Sequence, residues 1–247
     1  MLPGGPGIGS ESLIELADAM DVPGTIWLVD LPGDGSNIDP RGAAPDIFAK
    51  WPGVLVEAAE ALPNAIYVGH STGGMYLLAT PELERHIAGL VLISSAPHAG
   101  WIPRYEAMTR SDPLPSVDAA MLAYATGKSA ERLRDVAVAS APWNFADACL
   151  NAGRDLLSRM PYNVAAVEWS DANFDRTYAA NWWPKITPVL IISGAEDRIV
   201  DQALWDDPRF QETHVTQRII DGGGHFPWIE NPGQVRQAFS TFIERFI

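Results

Sequence analysis

The chain has 247 residues, 47% of them hydrophobic, enough for one domain with a sizeable core and an inserted segment but not for a second independent domain. Its 17 basic residues against 31 acidic ones give a net charge of −14, which argues against a nucleic-acid partner and against docking on an anionic membrane. The single cysteine, Cys149, excludes an internal disulfide, fits a reducing compartment and reads as a buried structural thiol. With no signal-peptide pattern and no long apolar span, a soluble cytoplasmic protein is the expectation.

Taken in chain order, the sequence opens on a glycine-rich loop, Pro3-Gly4-Gly5-Pro6-Gly7, preceded only by Met1-Leu2. Residues 11–21 carry apolar side chains at helical spacing, and residues 25–30 read as a strand running into Asp30-Leu31-Pro32-Gly33-Asp34-Gly35-Ser36. Residues 44–61 predict a helix with a break near Trp51-Pro52-Gly53. A strand over residues 65–69 then meets Gly69-His70-Ser71-Thr72-Gly73-Gly74 and a helix-compatible stretch at 75–79. The glycines allow a sharp strand-to-helix turn with Ser71 exposed at its apex, the G-x-S-x-G arrangement of a nucleophile elbow.

A strand follows at 89–94, and the next convincing one is at 188–193. Between them the patterns predict helices near 117–126, 130–140, 144–159 and 163–171, with many aromatic residues. The strand at 188–193 empties into Gly194-Ala195-Glu196-Asp197, placing an acid just past its carboxyl end. A last strand at 216–220 ends in Asp221-Gly222-Gly223-Gly224-His225, and residues 234–246 close the chain as an amphipathic helix. Alternating strands and helices predict a doubly wound, mostly parallel α/β sheet, whose sites gather at the carboxyl ends of the strands.

Ser71, Asp197 and His225 each follow a strand, in the chain order of an α/β-hydrolase triad. With the Asp30–Ser36 loop and the strand around Leu90, they identify the chain as resembling the α/β-hydrolase superfamily over nearly its whole length. The opening loop resembles the H-G-G-P-G oxyanion loop of the proline-iminopeptidase-like and carboxylesterase branch, with Pro3 where that branch has histidine. The resemblance implies a core of residues 1–97 and 184–247 and a helical cap, or lid, of residues 98–183. It also implies a strand directly before the oxyanion loop. The expectation is therefore a fold whose N-terminal strands are missing from this sequence, the natural protein starting some residues upstream; an in-frame stop codon just before Met1 would refute this.

The chemistry follows from the residue types. A serine hydroxyl needs a base, and histidine suits proton acceptance and return near neutral pH. Asp197 would fix the His225 tautomer, with Glu196 as its nearest rival, and the N–H groups of Gly5 and Thr72 would hold the oxyanion. His98, Trp101, Trp143 and Trp182 are the candidate substrate contacts, while Glu168 and Asp171 read as solvated acids. No metal-ligand spacing or phosphate loop is present, so no metal or cofactor is expected. The leading expectation is a serine hydrolase acting on a small carboxylic ester, or less favourably an amide, with an apolar or aromatic substrate. Two alternatives keep the fold: a carbon–carbon bond hydrolase or cofactor-free oxygenase or lyase on an aromatic ketone or enol, and a non-catalytic ligand receptor.

Overall fold

The computed structural model describes residues 1–39, 44 and 46–246. Four parallel strands, β1 (Ile66–His70), β2 (Gly89–Ile93), β3 (Val189–Gly194) and β4 (Val215–Ile220), form one sheet in the order β1-β2-β3-β4. β2 and β3 are buried along their whole length, as continuous apolar runs in a parallel sheet covered on both faces should be. Alternate side chains enter opposite cores. Leu90 and Leu92 join Trp51, Leu77, Ile191 and Trp205 on one face, while Val91 and Ile93 join Leu16, Ile192 and Phe239 on the other. Because all four strands run the same way, Ser71, Asp197 and His225 are delivered to the same edge of the sheet.

Outside the segment between β2 and β3 lie the helices α1 (Ile14–Met20), α2 (Trp51–Ala61), α3 (Thr72–Leu78), the short α10 (Pro227–Glu230) and α11 (Pro232–Ile243). α11 buries Val235, Ala238, Phe239 and Phe242, a stripe at helical spacing, and its start is capped by the Asn231 side chain accepting from the Gln234 N–H. The predicted break at 51–53 is absent. Pro52 sits in the first turn of α2, where a missing N–H costs nothing, and a 3₁₀ turn, Phe48–Lys50, leads into it; of the predicted helix, residue 45 lies outside the described residues.

Residues 25–30 form no strand, which corrects the sequence reading. A strand needs a ladder partner, and among the described residues the backbone of residues 25–30 is hydrogen-bonded to other backbone only at Met1. Leu2 N–H donates to Val68 O (2.8 Å), His70 N–H donates to Leu2 O (3.1 Å), and Val29 N–H donates to Met1 O (3.0 Å). Beyond this short contact, an apolar slot of about 310 Å³ separates residues 25–29 from β1, lined by Met1, Val22, Trp27, Leu62, Tyr67 and Ile243.

The segment between β2 and β3 holds α4 (Trp101–Ser111), α5 (Pro115–Thr126), α6 (Ala130–Ala139), α7 (Ala141–Asn144), α8 (Leu150–Arg159) and α9 (Val164–Asn173). α4 was not expected from the sequence; its Pro103 lies in the first turn, where proline is tolerated. The helix predicted over 144–159 is interrupted, because Phe145 and Ala146 turn extended and bring this segment down onto the loop before α10. Cys149 is partly exposed, not buried as expected: it ends the 3₁₀ turn Asp147–Cys149 that leads into α8.

Candidate active site

Ser71 sits between β1 and α3 with φ 49° and ψ −123°, a left-handed conformation that a residue with a Cβ holds only under about 1–3 kcal/mol of strain. Its surroundings fix it there. Ser71 N–H donates to Ile93 O (2.8 Å), and its carbonyl accepts from Ser95 Oγ (2.8 Å) and Gly74 N–H (3.0 Å). A Cβ on Gly69 would lie 2.4 Å from Gly74 N, so the sharp turn requires glycine at that position.

Past β3, Asp197 has a fully buried carboxylate whose two oxygens meet different donors. Oδ1 accepts the N–H groups of Ile199 (2.9 Å) and Val200 (3.0 Å), while Oδ2 accepts from Gln202 Nε2 (3.1 Å). Gln202 is held in turn by Ser193 Oγ, which donates to its Oε1 at 2.6 Å. His225 Nδ1 lies 3.0 Å from Oδ2 and 3.2 Å from Oδ1, an arrangement in which an acceptor-only carboxylate selects the Nδ1–H tautomer of the neutral ring. Glu196 is exposed, and its N–H donates to Gly223 O (2.8 Å). The acid that faces His225 is thus Asp197.

The histidine loop is tied from outside the sheet. His225 N–H donates to Asn144 O (2.8 Å), Ala146 N–H donates to Glu230 Oε1 (2.6 Å), and Gly224 N–H donates to the other oxygen of the same carboxylate. Burial, reinforced by Glu196 and Asp197, raises the Glu230 carboxyl above its ordinary range despite those two donors. Asn144, Gln202 and Glu230 were missed by sequence reasoning: they reach the site through pairings with no local spacing to reveal them.

His70, behind the elbow, donates from Nε2 to His225 O (2.9 Å) and packs its ring against His225, Phe226 and Trp228. Burial first, and the neighbouring His225 second, push its pKa well below 6.5. The unfolded chain therefore binds a proton below about pH 6.5 that the native state refuses, so this contribution to stability is intact above that pH and is lost as pH falls. Urea unfolding of wild type should weaken between pH 7.5 and 5.5 by at most about 1.4 kcal/mol per pH unit from this group, and His70→Gln should lose that part of the slope. An unchanged slope in the variant would refute the assignment.

In the first loop Gly5 adopts φ 106°, and its carbonyl accepts from Thr72 Oγ1 (2.8 Å), joining the loop to the start of α3. Gly5, Ser71, Thr72 and His225 share a cavity of about 200 Å³, closed further by Trp101, Asn144, Leu157 and Tyr162, and among the described residues no Lys, Arg, Asp or Glu lines it. Of the four candidate contacts only Trp101 is there. His98 Nδ1 accepts from Gly100 N–H, and the Trp143 and Trp182 indoles donate to Asp112 O (3.0 Å) and Leu77 O (2.8 Å), which makes the two tryptophans packing residues. Glu168 pairs with Lys128 and Asp171 with Arg176, away from the cavity. No group of His, Cys, Asp or Glu suited to a metal occurs among the described residues, and none of their helices is long and apolar enough to cross a membrane.

The sequence profile described as the alpha/beta hydrolase family matches residues 2–238. A pimeloyl-[acyl-carrier protein] methyl ester esterase from Xanthomonas oryzae pv. oryzae is 27% identical over 226 residues, spanning 88% of this chain and 84% of that protein. Among solved structures, an alpha/beta fold family hydrolase from Bacillus anthracis str. Sterne superposes with a TM-score of 0.77 at 15% identity, covering 98% of this chain and 90% of the other. An esterase from Rhodococcus sp. ECU1013 gives a TM-score of 0.66 at 22% identity, covering 98% and 88%.

Proposed function

The chain belongs to the alpha/beta hydrolase family, and on that premise we propose that it hydrolyses carboxylic esters through an acyl-enzyme on Ser71. The observation that carries the reading is the histidine itself: Nδ1 is held by the buried Asp197 carboxylate, while the His225 ring and Ser71 line one small cavity. His225 Nε2 takes the Ser71 proton as Oγ attacks the ester carbonyl, and the negative oxygen is held by the N–H groups of Gly5 and Thr72. Collapse breaks the carbon–oxygen bond to the alcohol, which leaves with the proton from His225. Water, deprotonated by the same nitrogen, then attacks the acyl carbon, and Ser71 regains its proton as the acid departs.

Residues 98–183 act in this reading as the cap. They supply Trp101, Leu157 and Tyr162 to the cavity and hold the His225 loop through Asn144. The cavity volume falls below the roughly 300–1,000 Å³ of pockets for drug-sized ligands, and among the described residues no Lys, Arg, Asp or Glu lines it. A short, neutral, apolar acyl group fits that description. The Xanthomonas relative, named for cleaving a methyl ester, supports ester chemistry over amide chemistry.

Rapid mixing with p-nitrophenyl esters from acetate to octanoate tests the reading. A burst of p-nitrophenol stoichiometric with enzyme, followed by slower turnover and strongest for the shorter chains, is expected. Absence of both burst and turnover across the series would overturn it.

A further inference from the structure

Asp34 is a carboxylate that the reaction does not use, and it is only 6% exposed. Three donors converge on it. Gly7 N–H meets Oδ2 at 2.9 Å, whereas Gly35 N–H (3.0 Å) and Asn163 Nδ2 (3.3 Å) meet Oδ1. Asn163, at the start of α9, also donates from Nδ2 to Gly33 O (2.5 Å), and its own N–H donates to Gly7 O (2.9 Å). Gly7 is therefore gripped by its N–H from Asp34 and by its carbonyl from Asn163. The approach is close: at φ 91°, a Cβ on Gly7 would lie 2.8 Å from Asn163 O.

Gly7 is two residues past Gly5, whose N–H is assigned to the oxyanion. We propose that Asp34, together with Asn163, is a positioning residue that sets the direction of the Gly5 N–H by anchoring the loop at Gly7; this rests on the esterase reading above. A buried carboxylate is costly to desolvate, and burial raises the Asp34 pKa although its three donors oppose the rise. Both of its oxygens are engaged, and each meets a different part of the structure. The Asp30 carboxylate extends the grip along the same segment, accepting Ser10 N–H (2.6 Å) and Ser36 Oγ (2.7 Å).

Asp34→Asn isolates the effect. Its single carbonyl oxygen stays with the two donors from Gly35 and Asn163, and its NH₂ then faces the Gly7 N–H, which loses its acceptor. Removing a direct oxyanion donor costs on the order of 10²–10³ in rate; misdirecting one should lower kcat on a p-nitrophenyl ester by about tenfold to a hundredfold with KM held within about threefold. Affinity for a trifluoromethyl ketone, which forms a tetrahedral adduct, should fall in step with kcat/KM. Amide hydrogen exchange in the peptide covering residues 3–9 should quicken. If the variant does not fold, Asn163→Ser, which keeps an oxygen able to cap α9 and removes the Nδ2 donor without adding a charge, is subject to the same readouts and expectations. Unchanged exchange, or faster exchange with kcat and ketone affinity within about twofold of wild type, would sink the inference alone. A wild type inert toward esters would instead remove the esterase reading and this role with it.

Discussion

Ser71→Ala is expected to abolish covalent labelling by a fluorophosphonate and to lower ester turnover by about 10⁴–10⁶, with the fold unchanged. The variant deletes one oxygen and nothing that holds the elbow. Ser71 N–H still donates to Ile93 O, the carbonyl still accepts from Ser95 Oγ, and alanine keeps the Cβ already accommodated at φ 49°. His225→Ala should fall into the same range, and the double variant should be little worse than either, because nucleophile and base act as one unit. Labelling followed by peptide mass mapping decides it. An adduct on the variant, or turnover within tenfold of wild type, would mean that another residue attacks the substrate.

That Ser71, Asp197 and His225 lie at one edge of the sheet was legible because each follows the end of a strand with a glycine close before it that local pattern reveals: Gly69 before Ser71, Gly194 before Asp197, Gly224 before His225. β3 was legible for a simpler reason, since Val189-Leu190-Ile191-Ile192 is apolar on both faces of a buried parallel strand. Residues 25–30 misled because β propensity says nothing about whether a ladder forms, and among the described residues their backbone meets only that of Met1. The aromatic residues between β2 and β3 misled differently. An indole satisfies its N–H on any nearby carbonyl, and Trp143 and Trp182 found theirs inside the protein instead of facing the cavity. What the sequence hides most completely is the support of the site: Asn144 under His225, Gln202 beside Asp197 and Asp34 under Gly7 all act on backbone or side-chain atoms brought together only by the fold.

That hidden support makes the second large effect computable from geometry. Asp197→Asn is expected to lower kcat by about 10⁴ with little loss of stability. Two backbone donors, from Ile199 and Val200, point at the Oδ1 position, whereas Oδ2 faces Gln202 Nε2 and His225 Nδ1. Asparagine will place its oxygen where the two rigid N–H groups are, leaving NH₂ against His225. Two N–H groups cannot face each other, so the imidazole moves its proton to Nε2, the atom that must accept the Ser71 proton, and the base is lost. The fold tolerates the exchange because Gln202 Nε2 keeps its second partner, Val200 O, at 2.9 Å. Nitrogen-15 shifts of the His225 ring should report the switch from the Nδ1–H to the Nε2–H tautomer alongside the kinetic loss. If turnover drops while the tautomer stays on Nδ1, Asp197 acts by charge alone; if turnover stays within tenfold, it is not the acid that orients the base.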